Sequence, residues 1–291
     1  MHQPQPGILA DLPAQARYLS FSLNPAATPQ QLRRRLEELE IDQQLVVALG
    51  TSLVTTLGLE VAPLRPFPAI ASRIDIPSTP SALWCWLRGD ERGELLHRTR
   101  QLQQQLAPAL TLEACVDGFR YREGRDLTGY EDGTENPTGD AALQAALVSD
   151  GALAHSSFVA VQRWQHDMHA FAAMARSEQD HSIGRRRSDN QELDDAPPAA
   201  HVKRTAQESF SPEAFLLRRS MPWNDASAEG LMFVAFGHSF TAFEQQLERM
   251  CGLEDGIEDA LFRFTRPRSG AYFWCPPVRG ARLALEVATG A

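Results

Sequence analysis

Apolar and polar positions along this chain switch between a period of two and a period near 3.6, and the order of the switches predicts the elements. Tyr18–Leu23 reads as a short strand. Thr28-Pro29-Gln30-Gln31 then opens a helix: Thr at the N-cap, Pro at the first helical position and Gln at N3 satisfy free backbone N–H groups, and Leu32, Leu36 and Leu39 form one apolar stripe. Leu45–Leu59 is apolar throughout but punctuated by Gly50 and Gly58, a pattern that fits either a strand or a helix. Proline-rich Pro63–Pro80 interrupts structure, after which Ser81–Leu87 predicts a strand with Leu83, Cys85 and Leu87 on one face. Asp90 is placed as the N-cap of a helix striped by Leu95, Thr99, Leu102 and Leu106; Pro108 stops it, and a strand follows near Leu110–Val116.

The second half repeats the theme. Phe158–Trp164 is a strand, Met168, Phe171, Ala172 and Ala175 mark a helix, and Leu231–Phe236 is another strand. Thr241-Ala242-Phe243-Glu244 fits a capping box before a helix striped by Phe240, Phe243, Leu247 and Met250, and Ala271–Cys275 supplies a late strand. Two strand–helix–strand halves predict an α+β fold of duplicated ferredoxin-like domains, of the dimeric α+β barrel type, with antiparallel sheets face to face and peripheral helices. The halves divide at 1–124 and 125–291, the second holding the cofactor site. Residues 1–14 are proline-rich with little periodicity and are expected to run extended across a surface, that of a neighbouring subunit being one choice. Gly124–Asp140 reads as a turn-rich loop, and Ser177–Ala200 as a long polar loop of the kind that carries function.

Composition narrows the class. Of 291 residues, 43% are hydrophobic and 22% charged, the balance of a soluble globular protein. The net charge of −9 and pI near 5.4 disfavour nucleic-acid and anionic-membrane partners, and Arg185–Arg187 is too short a run to reverse that. No apolar run approaches the roughly 20 residues of a spanning helix. The N-terminus lacks a basic and apolar leader, so a cytoplasmic protein is expected. The end, Leu283–Ala291, carries no long tail for docking into a shell compartment. Cys85, Cys115, Cys251 and Cys275 are scattered singly, without metal or redox spacing, and read as buried free thiols in a reducing compartment.

Candidate chemistry concentrates in two stretches. Among eight histidines, His2, His97, His155, His166, His169 and His181 sit in polar or terminal settings expected at the solvated surface, and His238 follows a strand as a loop or cap residue. His201 stands alone between PPAA and VKR with no second His or Cys nearby. A metal bound to it would therefore be held mostly by something else, and a porphyrin is such a holder. Upstream, Gly129–Pro137 (GYEDGTENP) holds the carboxylate of Asp132 in a turn.

These stretches carry a resemblance. GYEDGTENP, IGRRRSDNQELDDAPPAAHVKR and LLRRSMPWN, in that order, resemble the dye-decolourising (DyP-type) peroxidase family in its compact bacterial branch, and the likeness runs from PQPGIL to SGAYFWCPP. It implies a haem b peroxidase that reduces hydrogen peroxide and oxidises dyes, phenolics and Mn(II) by single-electron steps; a haem-handling protein with little turnover is the alternative. By the same resemblance His201 is the axial ligand, Asp132 the peroxide-side acid and Arg218 its partner, with adjacent Arg219 the choice if the frame slips by one. The family often has Asn two residues after that arginine, where this chain has Ser220. Asp259, in GIEDALFRF, is the candidate partner of the axial imidazole, against a reading as a solvated helix-end charge. Arg185 is the candidate partner of a haem propionate, against solvated charge. Trp164, Trp223, Tyr272 and Trp274 are read as packing residues, with electron relay the other possibility. Small aromatic reductants and a homo-oligomer follow from the family. An ordinary Asp pKa of about 3.9 at Asp132 implies activity best under acid to neutral conditions.

Overall fold

A computed structural model describes residues 1–288, and residues 289–291 of the C-terminal stretch lie outside the described residues. Eight strands form the frame: β1 (Gln15–Leu23), β2 (Leu45–Leu49), β3 (Leu83–Gly89), β4 (Leu110–Phe119), β5 (Ser157–His166), β6 (Met221–Asn224), β7 (Glu229–Gly237) and β8 (Ala271–Cys275). The first four pair antiparallel in the order β4-β1-β3-β2, and the last four in the order β8-β5-β7-β6. Each set places its own fourth, first, third and second strands side by side, which is the ferredoxin-like order. The two sheets face each other and join at both edges, through Trp274 opposite Leu49 and Gly118 opposite Trp223. The result is a closed antiparallel ring without a free sheet edge along its frame.

Side-chain alternation decides what the ring encloses. Tyr18, Trp84, Trp86, Phe236 and Phe273 point inward, where Tyr18 stacks between Trp84 and Trp86 at ring separations of 6.1 and 6.2 Å. Outward positions such as Leu19, Phe21, Leu83, Cys85 and Leu87 belong to a second core beneath the helices. β2, with every residue buried on one side or the other, reads in sequence as one apolar run, and this is why 45–59 fits both periods. It resolves into β2 followed by a short helix at Thr51–Thr56.

The seams depend on local chemistry. Only one residue pair joins β2 to β8 in register, and the buried side chain of Gln5 adds to it: its Nε2 donates to Val47 O (2.8 Å) and Pro276 O (2.9 Å), and its Oε1 accepts from Val47 N (2.8 Å). At the other seam, a Cβ on Gly118 would lie 2.8 Å from the Tyr18 ring, so glycine there leaves room for that ring beside the β4–β6 junction. Residues 1–14 thus differ from the extended surface segment expected. Pro6–Leu9 forms a short helix (α1) whose Ile8 joins the interior cluster, while Arg219 donates to Leu9 O (3.0 Å) and Arg88 to Ala10 O (3.3 Å) at its end.

Helices cover the outside. The capping box at Thr28 is present on α2 (Pro29–Glu37), and Leu95, Thr99, Leu102 and Leu106 are the buried stripe of α3 (Arg92–Leu106). Glu91, rather than Asp90, caps α3, because Asp90 accepts from Ala14 N instead. The helix α4 (Thr241–Met250) buries the expected stripe but has no side-chain cap at Phe240. The polar stretch 177–200 begins as a helix, α5 (Arg176–Ile183). Three cysteines are buried; Cys115 is exposed, 2.9 Å from Arg17 Nη2. No helix among the described residues is long and apolar enough to cross a membrane.

Candidate active site

The cavity of interest lies outside the ring, on the outer face of the second sheet. Gln162, Trp164 and His166 at i, i+2, i+4 on β5, with Leu231 and Phe233 on β7, form its floor, and Phe243, Leu247 and Met250 of α4 form part of its roof. It contains about 890 Å³ of non-atom space, counting that open to solvent, and every lining residue falls between Asp126 and Thr265.

His201 enters it from a single helical turn, His201–Arg204. That turn is fixed on both sides. The buried guanidinium of Arg204 grips Asp255 through two bonds of 2.7 and 2.8 Å, and Ala260 N donates to Ala199 O (2.7 Å) just before the histidine. Gly184 (φ 92°) ends α5 against the same turn, where a Cβ would come within 2.3 Å of Val202. His201 Nδ1 lies 2.7 Å from Oδ2 of Asp259, whose side chain is 0% exposed. The other Asp259 oxygen accepts from Leu261 N (2.8 Å), capping the short helix Ala260–Arg263. A carboxylate accepts and does not donate, so it places the imidazole proton on Nδ1 and leaves the Nε2 lone pair for the cavity. Asp259 is therefore a buried partner of the imidazole and not a solvated helix-end charge.

Asp132 and Arg218 reach the same cavity from other elements. Asp132 sits between Gly129 (φ 87°) and Gly133 (φ 81°), its N–H bonded to Gly124 O (3.0 Å). Arg218 ends a short strand on β7. One side chain ties the two together: Asn136 Oδ1 accepts from Arg218 N (2.9 Å) and its Nδ2 donates to Arg218 O (3.0 Å). Burial pushes the Asp132 carboxyl above the usual range; the guanidinium of Arg218 works against that, the charge of Asp126 adds to it, and His201 opposes it. The ordinary value assumed from sequence is thus too low. Arg219 points away, toward Leu9, which selects Arg218 as the cavity arginine. Ser220 is buried, with its Oγ 3.4 Å from Val234 N.

Arg185 lies apart from the other candidates. Its guanidinium is held by Glu135, Glu192 (3.4 Å) and Asn190 O (3.0 Å), and it does not line the cavity. A hairpin-like bridge between Arg185 and Glu192 turns it onto those carboxylates. His166 is a correction, expected in solvent but with only 5% of its side chain exposed. Its Nε2 lies 3.0 Å from Asp126 Oδ1 and its Nδ1 2.7 Å from Thr265 Oγ1. Burial works to raise the Asp126 carboxyl, yet the hydrogen bond and charge of His166 and the two groups of Thr128 hold it below the usual range. The available signal was the period of two in Gln162, Trp164 and His166. Of the four aromatics considered, only Trp164 lines the cavity; Trp223 donates to Trp164 O (2.9 Å), and Trp274 and Tyr272 pack in the outer core.

Comparison with known proteins gives the chain a family. The C-terminal Dyp-type peroxidase sequence family matches residues 123–280. A dye-decolorizing peroxidase of Rhodococcus erythropolis is 34% identical over 242 residues, which cover 79% of this chain and 71% of that protein. This chain belongs to the Dyp-type peroxidase family. It is a peroxidase, an oxidoreductase of the dye-decolourising kind. Solved structures with the same duplicated fold include a putative Dyp-type peroxidase from Shewanella oneidensis, at TM-score 0.88 and 27% identity over 99% of this chain and 98% of that one. A Rhodococcus jostii DypB variant in complex with heme has TM-score 0.87 and 26% identity, covering 99% and 98%.

Proposed function

We propose that the cavity holds haem b with Nε2 of His201 as the protein's axial ligand, and that Asp132 and Arg218 handle hydrogen peroxide. The observation that carries this is the His201–Asp259 pair, a 2.7 Å bond to a fully buried carboxylate that leaves one imidazole nitrogen turned to a large, mostly apolar cavity. The residues fit a porphyrin-held metal. Among the described residues no cluster of three or more His, Cys, Asp or Glu groups could hold an ion by itself, and His201 is a lone donor.

Bound there, haem iron supplies two-electron exchange with peroxide and single-electron oxidation of dyes, phenolics and Mn(II). The protein's part is proton and charge placement. An ionised Asp132 accepts the proton from one peroxide oxygen and delivers it to the other, which leaves as water. Arg218 supplies a fixed positive charge to the departing oxygen without having to reorganise. Asp259 orients the imidazole and increases its electron donation. Arg185, held here by Glu135 and Glu192, is the candidate for contact with a haem propionate.

The partners are hydrogen peroxide and small aromatic reductants, and we expect a cytoplasmic homo-oligomer whose cofactor half is 125–291. Confinement of every cavity residue to 126–265 supports that division. A single monomeric species in sedimentation would remove the oligomer. The test of the reading is reconstitution with hemin: a Soret band is expected, lost in His201→Ala. The fast peroxide reaction is expected to fall by about 100-fold or more in Asp132→Ala or Arg218→Ala. Undiminished haem uptake by His201→Ala sinks the ligand assignment, and a slow peroxide reaction insensitive to Asp132 leaves the haem-handling alternative.

A further inference from the structure

Arg218 and Arg219 are neighbours in sequence with opposite surroundings. The short strand Leu217–Arg218 pairs with β7 through two residues, Leu217 opposite Phe236 and Arg218 opposite Ala235, and Arg219 N extends the ladder to Val234 O (2.8 Å). Alternation along it sends Arg218 to the cofactor cavity and Leu217 to the interior cluster of the ring, with Arg219 on the side of Leu217. A slip of one residue would exchange the two arginines, and so short a ladder resists such a slip only weakly by itself. Contacts from outside the strand hold the frame.

On the cavity side the hold is Asn136, bonded to both backbone groups of Arg218. On the other side it is the segment 3–12. Arg219 donates from Nη2 to Leu9 O (3.0 Å) and, over a longer contact, from Nη1 to Arg218 O (3.4 Å). The buried Arg88 donates beside it, from Nη2 to Ala10 O (3.3 Å) and Asp11 O and from Nη1 to Gln43 O (2.7 Å), with its guanidinium 4.6 Å from the Trp86 ring. The carbonyls of Leu9, Ala10 and Asp11 follow from the last turn of α1, where C=O groups lack helical partners and favour cations. Burial holds the Arg88 guanidinium down at about 10, and the charge of Arg219 adds to that, so two like charges meet on one turn of this segment. The segment is fixed at both ends, by Gln5 at the β2–β8 seam and by Arg120 N on Ala14 O (2.9 Å) after β4, while Ile8 is buried inside the ring. Leu12, at its end, lines a small hollow together with Asp132 and Ser220.

We propose that Arg219 is a positioning residue, through which the segment 3–12 sets the frame of residues 217–219 on β7 and so directs Arg218, and not its neighbour, into the cavity. This rests on the reading of Arg218 as the arginine that handles peroxide. Arg219 does not line the cavity and touches no reacting atom. Its effect reaches the chemistry through the direction of Arg218, and a displaced catalytic charge costs rate steeply.

The haem-loaded full chain is read by its single-turnover reaction with peroxide and by its affinity for fluoride, an anion that accepts a charge-assisted hydrogen bond from a guanidinium beside it. Arg219→Ala is expected to slow the peroxide reaction by about tenfold and to raise the fluoride Kd by a similar factor, with haem uptake unchanged. Arg219→Lys keeps a donor for Leu9 O and should recover most of both losses. Ile8→Ala, which loosens the segment and leaves both arginines in place, should move both readouts the same way and add nothing further to Arg219→Ala. In the cofactor-free protein, the Arg218 amide should exchange faster in Arg219→Ala by about tenfold or more, relative to the Leu102 amide in α3. A lower Tm with fluoride affinity, peroxide rate and relative Arg218 exchange at parental values makes Arg219 a stability residue only and overturns the proposal. Parental values in Ile8→Ala remove the segment from it, and the same variant carries the decision if Arg219→Ala does not fold. A chain that takes up no haem fails the peroxidase reading instead, while amide exchange still decides whether Arg219 holds the frame.

Discussion

The outer faces of the two sheets share a strand order and meet opposite fates. On the first, α3 lies across β1, β3 and β4 and presses Leu95, Leu102 and Leu106 onto outward leucines and phenylalanines, closing the face as ordinary core. On the second, the corresponding positions of β5 are Gln162, Trp164 and His166, and the space above them is left open. Polar ties hold the elements around this opening: Arg204 on Asp255, Asp259 on His201, and the buried Gln246, whose Nε2 donates to Ala214 O (2.7 Å). A ferredoxin-like unit becomes a cofactor site by holding its helices off the sheet with hydrogen bonds, since apolar contacts alone would pull them down.

Truncation on each face breaks this comparison most strongly. Leu102→Ala on the closed face is expected to cost about 2–5 kcal/mol in denaturant unfolding, by the same amount with and without hemin. Leu247→Ala at the cavity wall should cost less in the cofactor-free protein, because Leu247 already borders empty space, and more once hemin is bound. Equal costs at the two sites, unaffected by hemin, would mean that the second face is closed core like the first.

A smaller effect tests the polar ties. Asp259→Asn is expected to weaken haem retention by about 10- to 100-fold in a transfer assay, as loss of the carboxylate behind a metal-bound imidazole commonly does. The overall fold should hold, because Asn can still accept from Leu261 N. Retention equal to the parent protein would remove Asp259 from the site.

Much of this contrast was legible before any coordinates. The stripes of α2, α3 and α4 and the strands flanking them follow from periodicity, because each buries one face of a regular element. Asp132, His201 and Arg218 were legible through the motifs that carry them, and all three meet at one cavity. What stayed hidden depended on partners distant in sequence. Ring closure rests on single residue pairs and on the side chain of Gln5, none of which leaves a periodic trace. The tie of Arg185 to Glu135 left no trace because Glu135 lies fifty positions upstream of it. His166 looked solvated because its neighbours Gln165 and Asp167 are polar, although its own face of β5 turns to the cavity with Gln162 and Trp164.

The finest distinction is electrostatic. Burial raises the Asp132 carboxyl, and Asp126 adds to that, so the acid limb of the peroxide reaction is expected above the ordinary carboxylate value of about 3.9. Asp126→Asn removes one cause and should move that limb to lower pH; a shift to higher pH would contradict the assignment. Linkage gives an independent sign. A carboxyl whose folded pKa exceeds its unfolded one favours the fold below the unfolded value, and the gain disappears as pH rises through the folded value. Asp132→Asn is therefore expected to raise the Tm of the cofactor-free protein at neutral pH, with the advantage vanishing near pH 3, roughly one unit below the ordinary value. The closed face has no counterpart to Asp132, so a Tm gain of this kind should not follow from polar substitutions there. A lower Tm for Asp132→Asn at neutral pH would show that Arg218 and His201 outweigh burial, and that the carboxylate stabilises the second face rather than straining it.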